Sequence, residues 1–336
     1  MAKNHLPMIP QTFTAFYVDE HHNATVTEVK STSLPDHEVS IQVHFSSLNY
    51  KDALSARGMN RVTKNYPHIP GIDAAGVVVE DRSGTFAPGD KVIVTGNDLG
   101  TNTFGGYGAF IRVPASWVVA LPKELSLEQS MMIGTAGFTA LYGIHRLKIE
   151  GINPDDGPIL ITGATGGVGS FAVFALSAMG YRVVAATRKT NQDQFLKNIG
   201  ANSVLESEAL TEVAKHPLLP RQWQGSIETV GGELLDAVLR QIQPKGAVAC
   251  CGNVLGIEVS TNILPFILRG ISLLGIDSAF CKRTIREQIW ETASTLPFHK
   301  LPSNYYKKVP LSKLGTEIDL ILQGKQTGRV VVEHAL

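Results

Sequence analysis

The alternation of apolar and polar positions changes character along the chain. From Phe13 to about Val119, short apolar or alternating runs such as "TFTAFYV", "HEVSIQVHFSSL" and "PGDKVIVTG" are separated by glycine and proline. This pattern predicts short strands joined by turns, in a compact antiparallel barrel or sandwich. The run that follows, "LSLEQSMMIGTAGFTALYGIHRL", predicts one helix that a glycine interrupts.

Beyond that helix, strand patterns alternate with helical patterns. The strand patterns are "PILITG", "RVVAATR", "GSIETVG", "GAVACCG" and "ISLLGID". Such alternation implies right-handed crossovers and a parallel, doubly wound sheet. The C-terminal segment returns to short strands around "YYKKVPL" and "GRVVVEH", with the helical pattern "KLGTEIDLILQG" between them. We expect this segment to pack on the first domain, which gives an α/β protein of two domains.

The amino-acid composition argues against nucleic acid and membranes as binding partners of this protein. The chain has 336 residues, of which 43% are hydrophobic, and this length suits two domains of about 150 residues. Lys and Arg together number 30, as do Asp and Glu, so we expect no nucleic-acid partner. Cys250, Cys251 and Cys281 lack the spacing of a disulfide framework and predict free thiols. With no apolar run of about 18 residues, we expect no membrane partner and a cytoplasmic location.

A glycine-rich stretch joins the first strand pattern of the second domain to a helix of small residues. Residues 161–170 read "ITGATGGVGS". Glycines let the backbone approach a pyrophosphate, and the first turn of the helix offers N–H groups and the positive end of its dipole. A purely structural turn is the alternative. The predicted cofactor-binding residues here are Gly163, Ala164, Thr165, Gly166, Gly167 and Val168.

The end of the next strand pattern indicates which dinucleotide binds. An NAD site usually has Asp or Glu there to bond the ribose 2′-hydroxyl, whereas this chain has Thr187, Arg188 and Lys189. Two cations and a hydroxyl suit a 2′-phosphate, which a carboxylate would repel. The alternative is a solvated basic turn. We therefore predict NADPH as the cofactor.

The domain order, with a nucleotide domain inserted before a returning tail, resembles the medium-chain dehydrogenase/reductase superfamily. The motifs "SSLNYKDAL", "PHIPGIDAAGVV", "TGATGGVGS" and "PFILRGISLLGIDS" are similar to those of its zinc-independent acrylyl-CoA reductases and quinone oxidoreductases. The resemblance implies a GroES-like, mainly antiparallel β-barrel catalytic domain at 1–129, completed by 304–336. It also implies a Rossmann nucleotide-binding domain with a doubly wound parallel sheet at 130–303.

Zinc ligands of the superfamily are missing from the sequence. Its zinc alcohol dehydrogenases carry a cysteine near the "SSLNYKD" position and Gly-His-Glu where this chain has Gly71, Ile72 and Asp73. No cysteine precedes Cys250, so neither a catalytic nor a structural zinc would find thiolate ligands in the first domain. We expect no metal.

The resemblance implies NADPH-dependent reduction of a carbon–carbon double bond conjugated to a thioester, with acrylyl-CoA or a similar short enoyl thioester as substrate. A quinone reductase is the first alternative. A nucleotide-binding regulator or structural protein without catalysis is the second. Hydride addition to the β-carbon drives negative charge onto the carbonyl oxygen, so the site needs hydrogen-bond donors there.

The motif "LNYKD" supplies the candidate catalytic residues Tyr50, Asn49 and Asp52. Tyr50 is the first candidate, because a phenol can donate at neutral pH without a large pKa shift. Asn49 is the second. For Asp52 we favour a helix-start carboxylate that orients its neighbours.

Further contacts are predicted for both the substrate and the cofactor. Arg57, Arg61 and Lys64 could meet the phosphates of CoA, although a solvated basic loop is the favoured alternative. By resemblance, the cofactor also contacts Asn253, Ile267, Ser278 and Arg329, with core packing as the alternative for Ile267 and a surface position for Arg329. Cys250 and Cys251 are expected to be buried strand residues rather than nucleophiles. The apolar strand "GISLLGIDS" predicts an exposed sheet edge and a homodimer.

Overall fold

A computed structural model describes residues 8–59, 62–211 and 216–335. The chain folds into two compact units. The first is formed by Met1–Thr135, Ala279–Ser294 and Tyr306–Leu336, and the second by Ala136–Ser278 and Thr295–Tyr305.

The elements expected from the quoted sequence patterns occur in the expected order, together with others that no quoted pattern predicted. Within the described ranges the strands are β1 (Thr12–Val18), β2 (Ala24–Lys30), β3 (Val39–Ser47), β4 (Asp73–Asp81), β5 (Lys91–Thr95), β6 (Phe110–Val113), β7 (Val118–Ala120), β8 (Ile159–Ile161), β9 (Val183–Thr187), β10 (Ser203–Glu206), β11 (Trp223–Glu228), β12 (Ile242–Cys250), β13 (Ser272–Gly275), β14 (Tyr306–Pro310) and β15 (Arg329–Glu333). The helices are α1 (Tyr50–Ala56), α2 (Leu127–Ile149), α3 (Gly167–Ala178), α4 (Asp193–Asn198), α5 (Glu208–Thr211), α6 (Gly232–Gln241), α7 (Leu264–Arg269), α8 (Arg283–Ser294) and α9 (Leu314–Leu322), with 3₁₀ turns at Ser31–Ser33, Ala115–Trp117, Phe298–Lys300 and Leu311–Lys313. A search of the described part of the chain finds no helix with the length and hydropathy that crossing a membrane requires.

The first unit is built mainly from antiparallel strands. One sheet has the order β14-β15-β3-β4-β5-β7, with β6 also paired to β3, and β1 and β2 form a separate hairpin. The pairs are antiparallel except for β14 with β15. The C-terminal strand β15 pairs with β3, with Val331 opposite Ser47. The expected return of the tail to the first domain is therefore confirmed.

A buried histidine lies in this unit. The ring of His68 contacts Tyr66 and Phe104 edge-on, at centroid distances of 6.2 and 5.9 Å. Burial lowers the pKa of His68 to about 4, because the charged imidazolium loses its hydration.

His68→Phe should flatten the acid dependence of stability. The folded-state pKa lies below the unfolded value of 6.5, so from pH 6.5 down to about 4 the unfolded chain gains a proton that the folded chain excludes. Wild-type stability therefore falls in this window, by about 1.4 kcal/mol per pH unit for this group. The variant keeps a ring at the same place and loses that slope. Urea unfolding of both proteins at pH 6.5 and 5 measures it, and parallel slopes would refute the assignment.

The second unit contains one parallel sheet with the strand order β10-β9-β8-β11-β12-β13. This is the doubly wound order. Successive strands are added on one side of β8 up to β10 and then on its other side from β11, and ligands bind beyond the carboxyl ends of the strands at this switch point. The parallel sheet predicted from the alternating pattern is confirmed. Strand β13 lies at the edge, as "GISLLGIDS" predicts.

Helix α2 has the predicted interruption. Gly134 has φ of 51° and ψ of −163° within it, one residue before the boundary between the two units. The first compact unit includes residues 130–135 and Ala279–Ser294, which the predicted boundaries 130–303 assign to the nucleotide domain. Arg286 in α8 donates to the carbonyl oxygen of Thr95 at 2.8 Å and to its hydroxyl at 3.0 Å, which fixes this segment to the first unit.

Candidate active site

A buried polar cluster surrounds Asp73 at the start of β4. Its carboxylate accepts hydrogen bonds from Asn49 Nδ2 at 2.8 Å, from the Thr135 hydroxyl at 2.6 Å and from the Thr135 N–H at 2.9 Å. The Ser47 hydroxyl is a further donor. Asp73 is fully buried, and an ionised carboxylate at such a position is tolerated when donors surround it.

Asp52 lies in the first turn of helix α1, next to this cluster, and caps the N-terminus of the helix. Its carboxylate accepts from the Asn49 N–H at 2.8 Å, from Asn49 Nδ2 at 3.1 Å and from the Ile72 N–H at 2.8 Å. Together the Asn49 and Asp52 side chains form a capping box. Burial, followed by the charge of Asp73, raises the pKa of Asp52 to about 7. This geometry favours the interpretation of Asp52 as a helix-start carboxylate that orients its neighbours, and a catalytic role for Asp52 stays a prediction.

Arg329 supplies the positive charge of the cluster. Arg329 is 2% exposed, and its guanidinium donates to the Met132 carbonyl at 3.1 Å, the Leu48 carbonyl at 3.2 Å and the Ser47 hydroxyl at 3.0 Å. A surface position for this side chain is therefore wrong. These contacts with acceptors inside the first unit favour an internal role for the guanidinium, and contact of Arg329 with the cofactor stays a prediction.

In the motif "LNYKD", the side chains of Asn49 and Asp52 are buried and that of Tyr50 is exposed. Asn49 is buried, its amide nitrogen directed to the two aspartates and its amide oxygen accepting from Arg329 Nη1 at 3.3 Å. The Asn49 amide thus serves the internal network, and its role as a second substrate donor stays a prediction. Tyr50, the first residue of α1, is 42% exposed. The network therefore fixes the backbone immediately before an outward-facing phenol.

Of the three basic residues proposed for CoA phosphates, the structure describes Arg57 and Lys64. Arg57 pairs with Asp319 of α9 at 2.5 Å, within the first unit. Lys64 is exposed. Arg61 lies outside the described residues. The pairing of Arg57 favours an ordinary surface position for that guanidinium over a phosphate contact.

In the second unit, the glycine loop follows β8 directly and leads into α3. The six predicted residues are contiguous there: Gly163, Ala164, Thr165 and Gly166 lie between β8 and α3, and Gly167 and Val168 begin α3. A Cβ on Gly169 would lie 2.4 Å from the Gly163 carbonyl oxygen and 2.8 Å from Ala164 Cα. The helix can approach the loop this closely only with glycine at that position. Its first turn thereby presents unpaired N–H groups at the carboxyl edge of the sheet, which fits a dinucleotide pyrophosphate.

The turn after β9 lies beside this loop. The Ala164 N–H donates to the Ala186 carbonyl at 3.0 Å, and the Thr165 and Thr187 hydroxyls are 3.3 Å apart. Arg188 is exposed and Lys189 is half-buried. Burial lowers the pKa of Lys189 by removing water from its ammonium group. A cationic turn adjoining the phosphate loop fits a ribose 2′-phosphate.

Sequence reasoning missed Glu228, a buried carboxylate at the end of β11. It accepts from the Thr162 hydroxyl at 3.0 Å, the Val230 N–H at 2.9 Å and the Gly231 N–H at 3.0 Å. Burial raises its pKa. These contacts tie the loop after β11 to the residue that precedes the glycine loop. A lone acid ending the apolar run "GSIETVG" was the signal that could have found it, and Asp73 shows the same signal in "GIDAAGVVV".

The remaining predicted contacts lie in the second unit at separate places. Asn253 is exposed in the loop after β12. Ile267 is 64% exposed on α7, so core packing is wrong for it. Ser278 accepts a hydrogen bond from Thr139 at 2.7 Å. Contact of these three side chains with the cofactor stays a prediction.

The cysteines behave as structural residues. Cys250 is partly buried at the end of β12, and burial raises its pKa to about 11. Burial also raises the pKa of Cys251. Because the thiolate is the nucleophile, such thiols are unreactive near neutral pH.

Among the residues that the structure describes, no group of three or more His, Cys, Asp or Glu side chains is arranged to hold a metal ion.

Two family models match the chain. The model described as "Alcohol dehydrogenase GroES-like domain" matches residues 35–123, and the one described as "Zinc-binding dehydrogenase" matches residues 167–295. The first segment lies in the barrel-forming unit, and the second covers most of the nucleotide-binding unit and also Ala279–Ser294 of the first unit. The GroES-like and Rossmann assignments are confirmed.

Relatives match over nearly the whole chain. Acrylyl-CoA reductase AcuI of Ruegeria pomeroyi is 39% identical over 96% of this chain and 99% of its own. YhfP of Bacillus subtilis, whose name assigns it provisionally to the quinone oxidoreductases, is 41% identical over 96% of this chain and 98% of its own. The crystal structure of YhfP with NAD bound covers 96% of this chain and 100% of its own, with a TM-score of 0.92. The YhdH oxidoreductase of Salmonella enterica in complex with NADP is 35% identical, covers 96% and 98%, and has a TM-score of 0.88.

Proposed function

Because this chain belongs to the medium-chain dehydrogenase/reductase family of oxidoreductases, we propose that it reduces the conjugated double bond of acrylyl-CoA, or of a similar short enoyl thioester, with NADPH. The product is the saturated acyl-CoA. The observation that carries the proposal is the half-exposed Tyr50 at the start of a helix whose first turn is locked by buried carboxylates. The likeness to AcuI over nearly the whole chain supports this substrate class.

NADPH, when bound, supplies a hydride to the β-carbon of the thioester. The chain's own contribution is to hold the reactants and to stabilise the charge that reaches the carbonyl oxygen. Tyr50 donates its phenolic hydrogen bond toward that oxygen or delivers the proton that the α-carbon takes up. A donor fixed in advance acts without reorganising during the reaction. The capping box of Asn49 and Asp52 provides that fixed position, because it sets the backbone next to the phenol.

The substrate class is tested by measuring NADPH oxidation by purified protein. Acrylyl-CoA, 1,4-benzoquinone and propionyl-CoA are compared, with the saturated thioester as the background control. We expect acrylyl-CoA turnover well above both others. Thioester turnover no better than the propionyl-CoA background would overturn the proposal. Turnover with benzoquinone alone would favour the quinone reductase, the second candidate, which the similarity to YhfP supports.

The cofactor preference rests on Arg188 and Lys189. Replacing both with Gln should raise the KM for NADPH far more than the KM for NADH, by roughly tenfold or more for each charge-assisted hydrogen bond removed. Arg182→Gln is the matched control, since Arg182 is an exposed cation at the opposite end of β9. Steady-state kinetics with both nucleotides measures the effect, and an equal rise for both would contradict the preference.

We place the protein in the cytoplasm as a homodimer joined at β13. Strand β13 is the sheet edge, and exposed large apolar side chains are concentrated around it and in the segment that precedes it. They are Val254, Leu255, Ile257, Val259, Ile263, Ile267, Leu268 and Leu273. A second copy related by a two-fold axis would cover this surface and pair the edges. Light scattering at micromolar concentration should give twice the chain mass, and a monomer would contradict the assembly.

A further inference from the structure

Two buried hydroxyls connect the glycine loop to the turn after β9. Thr165 in the loop is 3% exposed and Thr187 at the end of β9 is 5% exposed. Their Oγ1 atoms are 3.3 Å apart. Thr187 Oγ1 also accepts the N–H of Lys189 at 3.1 Å. One hydroxyl thus contacts both the phosphate loop and the backbone of the cationic turn.

The main chains of the loop and the strand are joined without these hydroxyls. The Ala164 N–H donates to the Ala186 carbonyl at 3.0 Å, and the Ser207 N–H donates to the Thr187 carbonyl at 3.1 Å. Loss of the Thr187 hydroxyl would leave these backbone bonds in place. Removing the Thr187 hydroxyl would act on Arg188 and Lys189, because this hydroxyl accepts the hydrogen bond of the Lys189 N–H. The hydroxyl therefore holds the backbone N–H of Lys189 in the turn that carries both cations.

The position of that turn matters for a ligand with two anionic groups. A hydroxyl has one donor and two acceptor sites, so Thr187 can hold the Lys189 N–H and Thr165 at the same time. The distance between the glycine loop and the cations is thereby constrained. A dinucleotide phosphorylated on the ribose must place its pyrophosphate and its 2′-phosphate together, whereas one without the 2′-phosphate has no such requirement.

We propose that the Thr165–Thr187 hydroxyl pair is a positioning element for nucleotide selectivity, which sets the Arg188–Lys189 turn at the spacing a 2′-phosphate requires. This inference rests on the NADPH preference proposed above. It assigns to Thr187 a role that acts through the cations of the turn and depends on Thr165.

The test is a double-mutant cycle on nucleotide binding. Thr165→Val, Thr187→Val and the double variant remove the hydroxyls while keeping β-branched side chains of the same shape. Dissociation constants for NADPH and NADH are measured by nucleotide fluorescence, and their ratio is the readout. We expect each single variant to lower the preference for NADPH by about tenfold, the scale of one charge-assisted hydrogen bond. The double variant should lose no more than either single one, since both interrupt the same pair.

The outcomes distinguish a role of the hydroxyl pair in selectivity from a purely structural role. Thr187→Ser keeps the hydroxyl and should restore the selectivity that Thr187→Val loses. An unchanged ratio in Thr165→Val would overturn the inference, because Thr187 would then act without its partner. Equal weakening of both nucleotides, with a lowered melting temperature, would overturn it by making the pair structural only. If wild-type protein binds both nucleotides equally, the proposed cofactor preference fails and the inference fails with it. A wild-type preference kept by every variant overturns the inference alone.

Discussion

Tyr50→Phe should lower kcat for the enoyl thioester by about 10²–10³, the loss expected for one well-placed donor. The phenol is 42% exposed, and the variant keeps its ring. Folding and NADPH affinity should therefore stay close to those of the wild type. Steady-state kinetics, together with nucleotide titration and a melting curve, measures the three quantities on the same protein.

A second tyrosine provides the matched control. The Tyr306 phenol donates to Glu128 Oε1 at 2.7 Å within the first unit, so Tyr306→Phe removes a hydroxyl that already has a protein acceptor. Its kcat should change little. If Tyr50→Phe keeps more than about a tenth of wild-type turnover, a deficit under about 1.4 kcal/mol, then "LNYKD" is a structural corner. Protonation would then come from solvent.

Gly134→Ala should lower the free energy of unfolding by roughly 2–6 kcal/mol. Its φ of +51° strains any residue with a Cβ, which costs roughly 1–3 kcal/mol. The added Cβ would also lie 2.5 Å from Ser47 Oγ, 2.6 Å from Asp73 Oδ2 and 2.7 Å from Arg329 Nη2. Displacing these groups costs about as much again, because they are buried and mutually hydrogen-bonded. Urea unfolding measures the difference.

Gly84→Ala separates strain from crowding. Gly84 has φ of +73° and no atom within 4 Å of the position of an added Cβ. Its substitution should therefore cost only the backbone strain, about 1–2 kcal/mol. If Gly134→Ala lowered the free energy of unfolding no more than Gly84→Ala does, the side chains around Asp73 would move aside for the added Cβ at little energetic cost, which would contradict the prediction.

The fold was largely predictable because its signals are local. The switch from short alternating runs to strand–helix alternation predicted both sheets, and the glycines within "LSLEQSMMIGTAGFTALYGIHRL" predicted a break in α2, which the structure places at Gly134. The attachment of Ala279–Ser294 to the first unit was not predictable in this way. It depends on Arg286 reaching Thr95, 191 residues away in sequence, and no periodicity records such a contact.

The candidate site was predictable by residue type and less so by role. The sequence directed attention to the motif "LNYKD". The amide of Asn49 and the guanidinium of Arg329 could each bind a substrate or cofactor or join an internal network, and the residue type alone does not distinguish these roles. Asn49 and Arg329 contact each other across 280 residues, so their internal role followed only from the fold. Asp73 and Glu228 were visible as acids within apolar runs. Their donors come from other strands and loops, so their networks could not be predicted from neighbouring residues.

Transfer of deuterium into the product tests the central claim most directly. The protein is incubated in ordinary water with acrylyl-CoA and NADPH carrying two deuterium atoms at C4 of the nicotinamide, and the acyl-CoA is analysed by mass spectrometry. Direct hydride transfer predicts propionyl-CoA with one deuterium at the β-carbon and hydrogen from solvent at the α-carbon. Recovery of unchanged acrylyl-CoA, under conditions in which the same protein oxidises NADPH with benzoquinone, would contradict the account.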